Sequence, residues 1–573
     1  MTPTPQQRRE LFWFLAVAFV VIAAGIGLRD PWPADEPRFV LVAKQMWESG
    51  DWLFPHRGIE LYPDKPPLYF WLLGAAYALA RDWTWAFLLP SLCAALGTLW
   101  LSYDAGRRLW AHRAGLWAAI AVLACAQFLH QAKRAQIDPT VAFFITLGMY
   151  GILRHTLLGP NWRWYWFGCF SAGLGVISKG VGFLALLALL PYAVMRARRW
   201  NGLADLGDGN GWRWSGGALA FLAAIALWFV PMVATALTSG DPEHRAYLDE
   251  LLFRQTATRY ASAWHHQQPA WYFLEVIAFR WLPFSLAVPW LLPRWRAAFR
   301  ARDARVLLPL SWALLVLLFF SASPGKRDMY ILPMLPMVAL AAAPYLEEIS
   351  VSRWLPRLVV ALASLLAAMF VVAGALALTG EPGFELKLEA ERGLAAAADQ
   401  LWWLLGATGV AMVVALLLRR RNALHGAAAA FVLLIVMLYS GAGLLLDDEN
   451  SARTVMRRAR ALAGPQSTIG LVAWKEQNLL QARGPTAEFG FLRTPEEQLS
   501  SGLAWLRVAP GSRRLFVLDE AMGACVRRNS AAPVGTANRR HWYLLDAGDL
   551  VPDCDPLAAA TGRGAAPHGV EAP

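Results

Sequence analysis

Apolar residues in this chain come in long unbroken blocks, and the charged residues gather in the short breaks between them. A helix that crosses the ~30 Å hydrocarbon layer of a bilayer needs about 20 such residues. The blocks predict a first span over Leu11–Leu28 and a second over Thr84–Tyr103. Further spans follow at about 114–130, 138–156, 164–178, 181–195, 214–237, 271–292, 306–322, 329–346, 357–379, 400–418 and 424–446. That makes about thirteen, with the pair flanking Lys179 short enough to form one bent unit. Residues 66–80, PPLYFWLLGAAYALA, are apolar but too short to cross, which predicts a juxtamembrane helix at the outer face.

Beyond residue 446 the pattern changes. Short apolar runs at 469–474, 514–520 and 541–547 predict strands, and 452–463 and 494–508 predict helices. Residues 447–556 therefore form an expected α/β domain, followed by an Ala-, Gly- and Pro-rich tail, 557–573, expected to be disordered. Residues 1–446 form the membrane domain, with outer loops at 29–83 and 238–270.

Composition agrees with this division. At 57% hydrophobic and 16% charged residues, with a mean hydropathy of +0.37, the 573-residue chain is not an ordinary soluble protein. Its net charge of +12 does not point to nucleic acid, because the arginines sit between spans instead of forming one basic face. Arg107, Arg108 and Arg113, then Arg196, Arg198 and Arg199, then Arg294–Arg305, and last Arg419–Arg421 all fall on one side of the expected topology. That is the bias of cytoplasmic loops. Arg8 and Arg9, with no small-residue cleavage site after the first block, make it an uncleaved anchor with its N-terminus in the cytoplasm. An odd number of spans then puts the first loop and residues 447–573 outside. Cys93, Cys125 and Cys169 lie in apolar blocks as core residues, whereas Cys525 and Cys554 are free to pair if exported.

The first loop holds groups that a bilayer rejects: Asp35, Glu36, Arg38, Asp51, Asp64 and Lys65. Asp35, Glu36 and Pro37 are good helix-start chemistry, and a capping loop also holds a carboxylate in place. Lys65 precedes Pro66 and Pro67 at headgroup level, where a lipid phosphate sits. The same topology brings Asp138, Lys179, His265, His266, Lys326, Arg327 and Tyr330 to this face. Such a gathering of cations and carboxylates suits an anionic lipid headgroup. Asp64 and His266 are candidate metal ligands, but two are too few for a tetrahedral site.

At PADEPRF, ESGDWLFPH and PDKPPLYFW, and again at IDPTVAFF, LGVISKGVGFLAL, HHQQPAWYF and FFSASPGKRDMYILP, the sequence resembles the GT-C glycosyltransferases of the protein mannosyltransferase superfamily. The likeness is nearest to the branch that transfers aminoarabinose to lipid A, and it covers most of residues 1–345. It implies an all-α polytopic membrane protein in a bacterial inner membrane, with a periplasmic active site and periplasmic C-terminal domain. It also implies inverting transfer of a sugar from a polyprenyl (undecaprenyl) phosphate to lipid A or another envelope glycolipid. By motif position, Asp35, Glu36, Lys65 and Asp138 would be catalytic. Arg38, Lys179, Lys326, Arg327 and Tyr330 would bind substrate, and Asp64 with His266 would hold zinc or another divalent metal. Asp64 stands where that branch has Glu. Transfer to protein Ser/Thr hydroxyls is the second acceptor class. A lipid or sugar transporter is the rival from another class. It would want ionisable groups deep in the spans, whereas most here lie at span ends, with Glu275 and Arg280 the main exceptions.

Overall fold

The computed structural model describes residues 4–207, 209–252, 267–380, 395–552 and 554. The expected tail, 557–573, and the His265–His266 pair lie outside these residues.

Helix α1, Pro5–Ala23, starts where the Thr4 hydroxyl accepts from the Gln7 amide and the Gln7 side chain accepts from the Thr4 amide. It stops short of Leu28 because Gly25 and Gly27 take φ of +92° and +77°, which turns the chain out of the helix. Helix α2, Glu36–Ser49, has proline in its first turn and ends at Gly50 with φ of +76°. Asp35 is its N-terminal flanking residue but makes no capping hydrogen bond, so its carboxylate is left for other partners. Strands β1, His56–Arg57, and β2, Glu60–Leu61, pair antiparallel. Helix α3, Leu68–Ala80, is 13 residues long, too short to cross a bilayer, as its sequence predicts.

Seven of the described helices are long and apolar enough to cross a membrane, or nine if each of two bent helix pairs is one span. The expected spans at 114–130 and 271–292 are those two pairs, bent by 71° and 99°. Pro283 cannot continue the second, since it lacks an N–H. The two breaks satisfy each other, for Ala126 N donates to Leu282 O at 3.0 Å and Cys125 Sγ to Arg280 O at 3.6 Å.

Small residues let the helices approach closely. A methyl group at Gly151 would lie 2.3 Å from Trp164 O, and one at Gly168 would lie 2.8 Å from Gly148 O. Helices Ile137–Leu158 and Trp162–Lys179 are thereby locked as an antiparallel pair, with Asp138 and Lys179 at the same end. At the opposite end of the bundle Arg113 pairs with Glu347, Arg294 with Glu348, and His112 with Glu10.

The last long helix, Ala423–Asn450, runs past the expected boundary at residue 446 and hands over to helix Arg453–Ala463. A five-stranded sheet follows in the order β4-β3-β5-β7-β6, built from Thr468–Val472 (β3), Thr486–Glu488 (β4), Arg513–Leu518 (β5), Ala532–Ala537 (β6) and Arg540–Leu545 (β7). The first three in sequence are mutually parallel, and β7 runs antiparallel to both β5 and β6. Helix Pro495–Val508 packs on the β3–β5 side, its start closed by reciprocal Thr494 and Glu497 bonds. Cys525 and Cys554 form a disulfide. Of the other cysteines Cys125 and Cys169 are buried as expected, but Cys93 is exposed on the helix surface.

Candidate active site

The C-terminal domain and the first loop are tied together by buried charge. Asp30, 1% exposed, accepts from Arg453 Nε at 2.5 Å, Gln481 Nε2 at 2.8 Å and Thr84 Oγ1 at 2.9 Å. Asp447 accepts from the Asp30 amide and from Trp32 Nε1. Glu488 accepts from Ile59 N, and Glu60 in return accepts from Leu492 N. These ties fix where α2 starts.

Glu36 stands at that start and is fully buried. Its two oxygens take both Arg29 Nη atoms at 2.5 and 2.8 Å, Trp32 N at 2.9 Å and Ala135 N at 3.0 Å. Burial alone would push this carboxyl upward. The Arg29 charge and hydrogen bonds outweigh it and hold the group below the usual range. Both oxygens of Glu36, expected to be catalytic, are thus engaged by partners within the protein.

Asp35, one residue earlier, faces the rim. Its oxygens lie 3.5 Å from Arg327 Nη2, 3.9 Å from Arg38 Nη1 and 3.3 Å from Gln136 Nε2. The hairpin of helices 137–158 and 162–179 adds an Asp138–Lys179 ion pair, with Lys179 Nζ 5.3 Å from the Tyr330 ring centroid. Beside these groups the Gln136 Oε1, Thr140 Oγ1 and Tyr69 hydroxyl are buried without partners among the described residues. Unpaired buried acceptors and hydroxyls are costly unless something polar completes them.

Other expected residues are placed differently. Lys326, 5% exposed, spends its amine on Ser323 O at 2.6 Å and Gln268 O at 2.9 Å, so it ties two loops together. The neighbouring Arg327 side chain is 37% exposed and, among the described residues, pairs with Asp35. Arg38 divides its guanidinium between Asp35 and Glu476 of the C-terminal domain. Lys65 Nζ donates to Asp64 O at 3.1 Å. The Asp64 carboxylate lies near Tyr62 and Tyr247, whose hydroxyl pKa values are raised by burial first and by Asp64 as well. His266 lies outside the described residues, and among the described residues no group of three or more His, Cys, Asp and Glu is arranged to hold a metal.

Arg280, expected deep in a span, instead pairs with Asp328 at 3.3 Å, beside Arg327 at the rim. The bend at Pro283 puts it there. Sequence reading missed Arg29, Gln136 and Glu476. Arg29 was legible as a cation at the end of an apolar block, whereas nothing local marks Glu476.

Residues 64–229 match the model of the dolichyl-phosphate-mannose-protein mannosyltransferase family. The undecaprenyl phosphate-alpha-4-amino-4-deoxy-L-arabinose arabinosyl transferase of Pseudomonas aeruginosa PAO1 is 29% identical over 349 residues, 58% of this chain and 59% of that protein. One from Pseudomonas fluorescens Pf0-1 is 30% identical over 322 residues, 54% of this chain and 52% of that protein. The match thus spans less than two thirds of these relatives' length. The crystal structure of ArnT from Cupriavidus metallidurans bound to undecaprenyl phosphate superposes with a TM-score of 0.72 at 21% identity, over 95% of this chain and 99% of that one. The chain is similar in sequence to the aminoarabinose transferases and in fold to that crystal structure. Its apo counterpart gives a TM-score of 0.69 at 20% identity. The likeness in fold therefore takes in the sheet domain and later helices as well, where the sequence motifs fade.

Proposed function

We propose that this chain is a multi-pass inner-membrane glycosyltransferase with about thirteen spans, N-terminus inside, and a periplasmic soluble C-terminal domain. Its donor is a sugar carried on a polyprenyl phosphate, and its acceptor is lipid A or a related envelope glycolipid. The observation that carries the reading is the approach of Arg327 to Asp35 at one rim, with Arg38 and the Asp138–Lys179 pair alongside.

The chemistry follows from charge. When the sugar's anomeric bond to the carrier phosphate breaks, negative charge grows on the phosphate oxygen. A fixed guanidinium stabilises that charge more than it stabilises the ground state. Arg327, being partly exposed, is free to turn from Asp35 to a phosphate. Lys65, at headgroup level, and Lys179 add positive potential. Asp35 is a rim carboxylate placed to take a proton from an acceptor hydroxyl, and a single displacement inverts the anomeric centre. Glu36 positions Asp35 by fixing the start of α2. Lys326 holds the loop that carries Arg327. The Cys525–Cys554 disulfide supports an oxidising compartment for the C-terminal domain. The placement of Arg280 at the rim weakens the transporter alternative.

The test is transfer by the purified protein in lipid from labelled undecaprenyl-phosphate sugar to lipid A. A new glycosidic bond is expected, with Lys65→Gln and Arg327→Gln folded but inactive. Labelled carrier lipid that crosses the bilayer unchanged, or near-normal transfer by both variants, would overturn the reading.

A further inference from the structure

The C-terminal domain meets α2 and β1 along a seam with more cations than carboxylates. Arg38 and Arg57 stand on the membrane side. Lys475, in the turn after β3, and Arg540, the first residue of β7, stand on the domain side. The carboxylate among them, Glu476, is already engaged by Arg38 Nε at 2.9 Å and approached by Arg57 Nη1 at 3.7 Å. Lys475 and Arg540 are half-buried and have no acceptor among the described residues. Burial and then the Arg540 charge push the Lys475 amine below the ordinary lysine range, so the two cations share one sparsely solvated space.

Donors are in excess here as well. Trp474 Nε1, Asn478 Nδ2, Arg57 Nε and Trp542 Nε1 are all buried with no acceptor among the described residues. Asn478 is 1% exposed, and its amide oxygen accepts from Lys475 N at 2.9 Å, which puts its NH2 group beside that lysine. The Trp474 ring packs at 5.1 Å on Phe491, over which the Arg57 guanidinium lies at 4.0 Å. Trp542 is two residues from Arg540 on β7 and therefore on the same face of the sheet. A buried N–H without an acceptor is costly, and several of them beside cations that outnumber the one carboxylate ask for one thing, a compact group made of acceptors.

We propose that this seam is a binding site for a phosphate group, carried by a lipid headgroup or free in solution. Lys475 and Arg540 supply the charge, and Trp474, Asn478 and Arg57 supply directed N–H donors. A tetrahedral phosphate offers more acceptor lone pairs than a carboxylate and satisfies donors arriving from two sides of a seam. Through Arg38, which lies 3.9 Å from Asp35, the bound anion stands one side chain from the candidate active site. The site is distinct from that of the sugar carrier, and its occupancy joins the C-terminal domain to α2.

The experiment uses the full-length protein in nanodiscs and reads the thermal unfolding midpoint. One arm titrates inorganic phosphate into phosphatidylcholine discs against chloride at matched ionic strength, and the other adds phosphatidic acid to the discs. The midpoint is expected to rise in at least one arm, and the double variant Lys475→Gln, Arg540→Gln is expected to weaken the apparent affinity at least tenfold. A rise with inorganic phosphate marks a solution anion, and a rise with phosphatidic acid alone marks a headgroup. If the double variant does not fold, Trp474→Phe, which removes one N–H and keeps a ring, is expected to weaken binding, and Lys475→Arg to retain it. No rise in either arm, or an equal rise in the variants that remove charge or donor, overturns the proposal.

Discussion

The carboxylate of Asp30, in the first loop, accepts a hydrogen bond from Arg453 Nε at 2.5 Å, a side chain 423 positions further along the chain. Asp30 follows the first helix and Arg453 follows the last long one, so the pair clamps the first loop to the far end of the membrane domain. Arg453 is about a third exposed while Asp30 is buried, so removing the cation strands a buried carboxylate that keeps Gln481 and Thr84. Arg453→Ala is expected to lower unfolding free energy by about 3 kcal/mol, the low end for a broken buried pair. Limited proteolysis should then release the C-terminal domain at a protease concentration that leaves the parent intact.

The clamp also has a consequence for sidedness. Since Asp30 and Arg453 touch, the chain between them crosses a bilayer an even number of times. In a Cys93→Ser background, Leu492→Cys should react with a membrane-impermeant maleimide in intact spheroplasts. Arg300→Cys should react only after permeabilisation. Labelling of both from one side would break the proposed topology.

Glu36 makes a pH dependence with a definite sign. Its carboxyl is held low by Arg29 against the opposing effect of burial. A carboxyl whose pKa is lower folded than unfolded stabilises above the unfolded value, about 4.3, and that stability is lost as pH falls through the folded value. The thermal midpoint should therefore drop in acid, and Glu36→Gln should show a shallower drop. At neutral pH Glu36→Gln should cost about 3–5 kcal/mol, because it leaves Arg29 buried and unpaired.

Asp35 bears on the acceptor. A hydroxyl acceptor needs a base, and loss of a general base lowers kcat by about 10²–10⁴. A lipid A phosphate is already an anion. With it Asp35→Asn is expected to lower kcat by less than about tenfold, measured with donor saturating. A loss in the larger range would identify a hydroxyl acceptor instead.

The Cys525–Cys554 disulfide closes a loop of sequence separation 29 at the end of the sheet domain, where Val551 N also donates to Cys525 O. Its loss in Cys525→Ser, Cys554→Ser should destabilise that domain by about 2–4 kcal/mol. Calorimetry should show the change in the domain's transition, with the membrane helices unaffected.

By itself the sequence determined what burial and periodicity encode locally. The apolar blocks marked the long helices, and α3 was legible as too short to cross. The runs at 469–474, 514–520 and 541–547 gave β3, β5 and β7 to within a residue or two. The topology read from charge led to the expectation that Asp35, Asp138, Lys179 and Arg327 share one face, and the structure pairs Asp35 with Arg327 and Asp138 with Lys179. Tertiary structure alone decided which of those charges are spent. Asp35 and Glu36 are adjacent and chemically alike, yet Arg29 and two backbone amides close off one while the other faces Arg327. The same holds for Lys326 and Arg327, of which one is consumed by carbonyls. No local pattern carries that distinction, because a carboxylate's role is set by partners that arrive from positions as distant as Glu476 and Arg453.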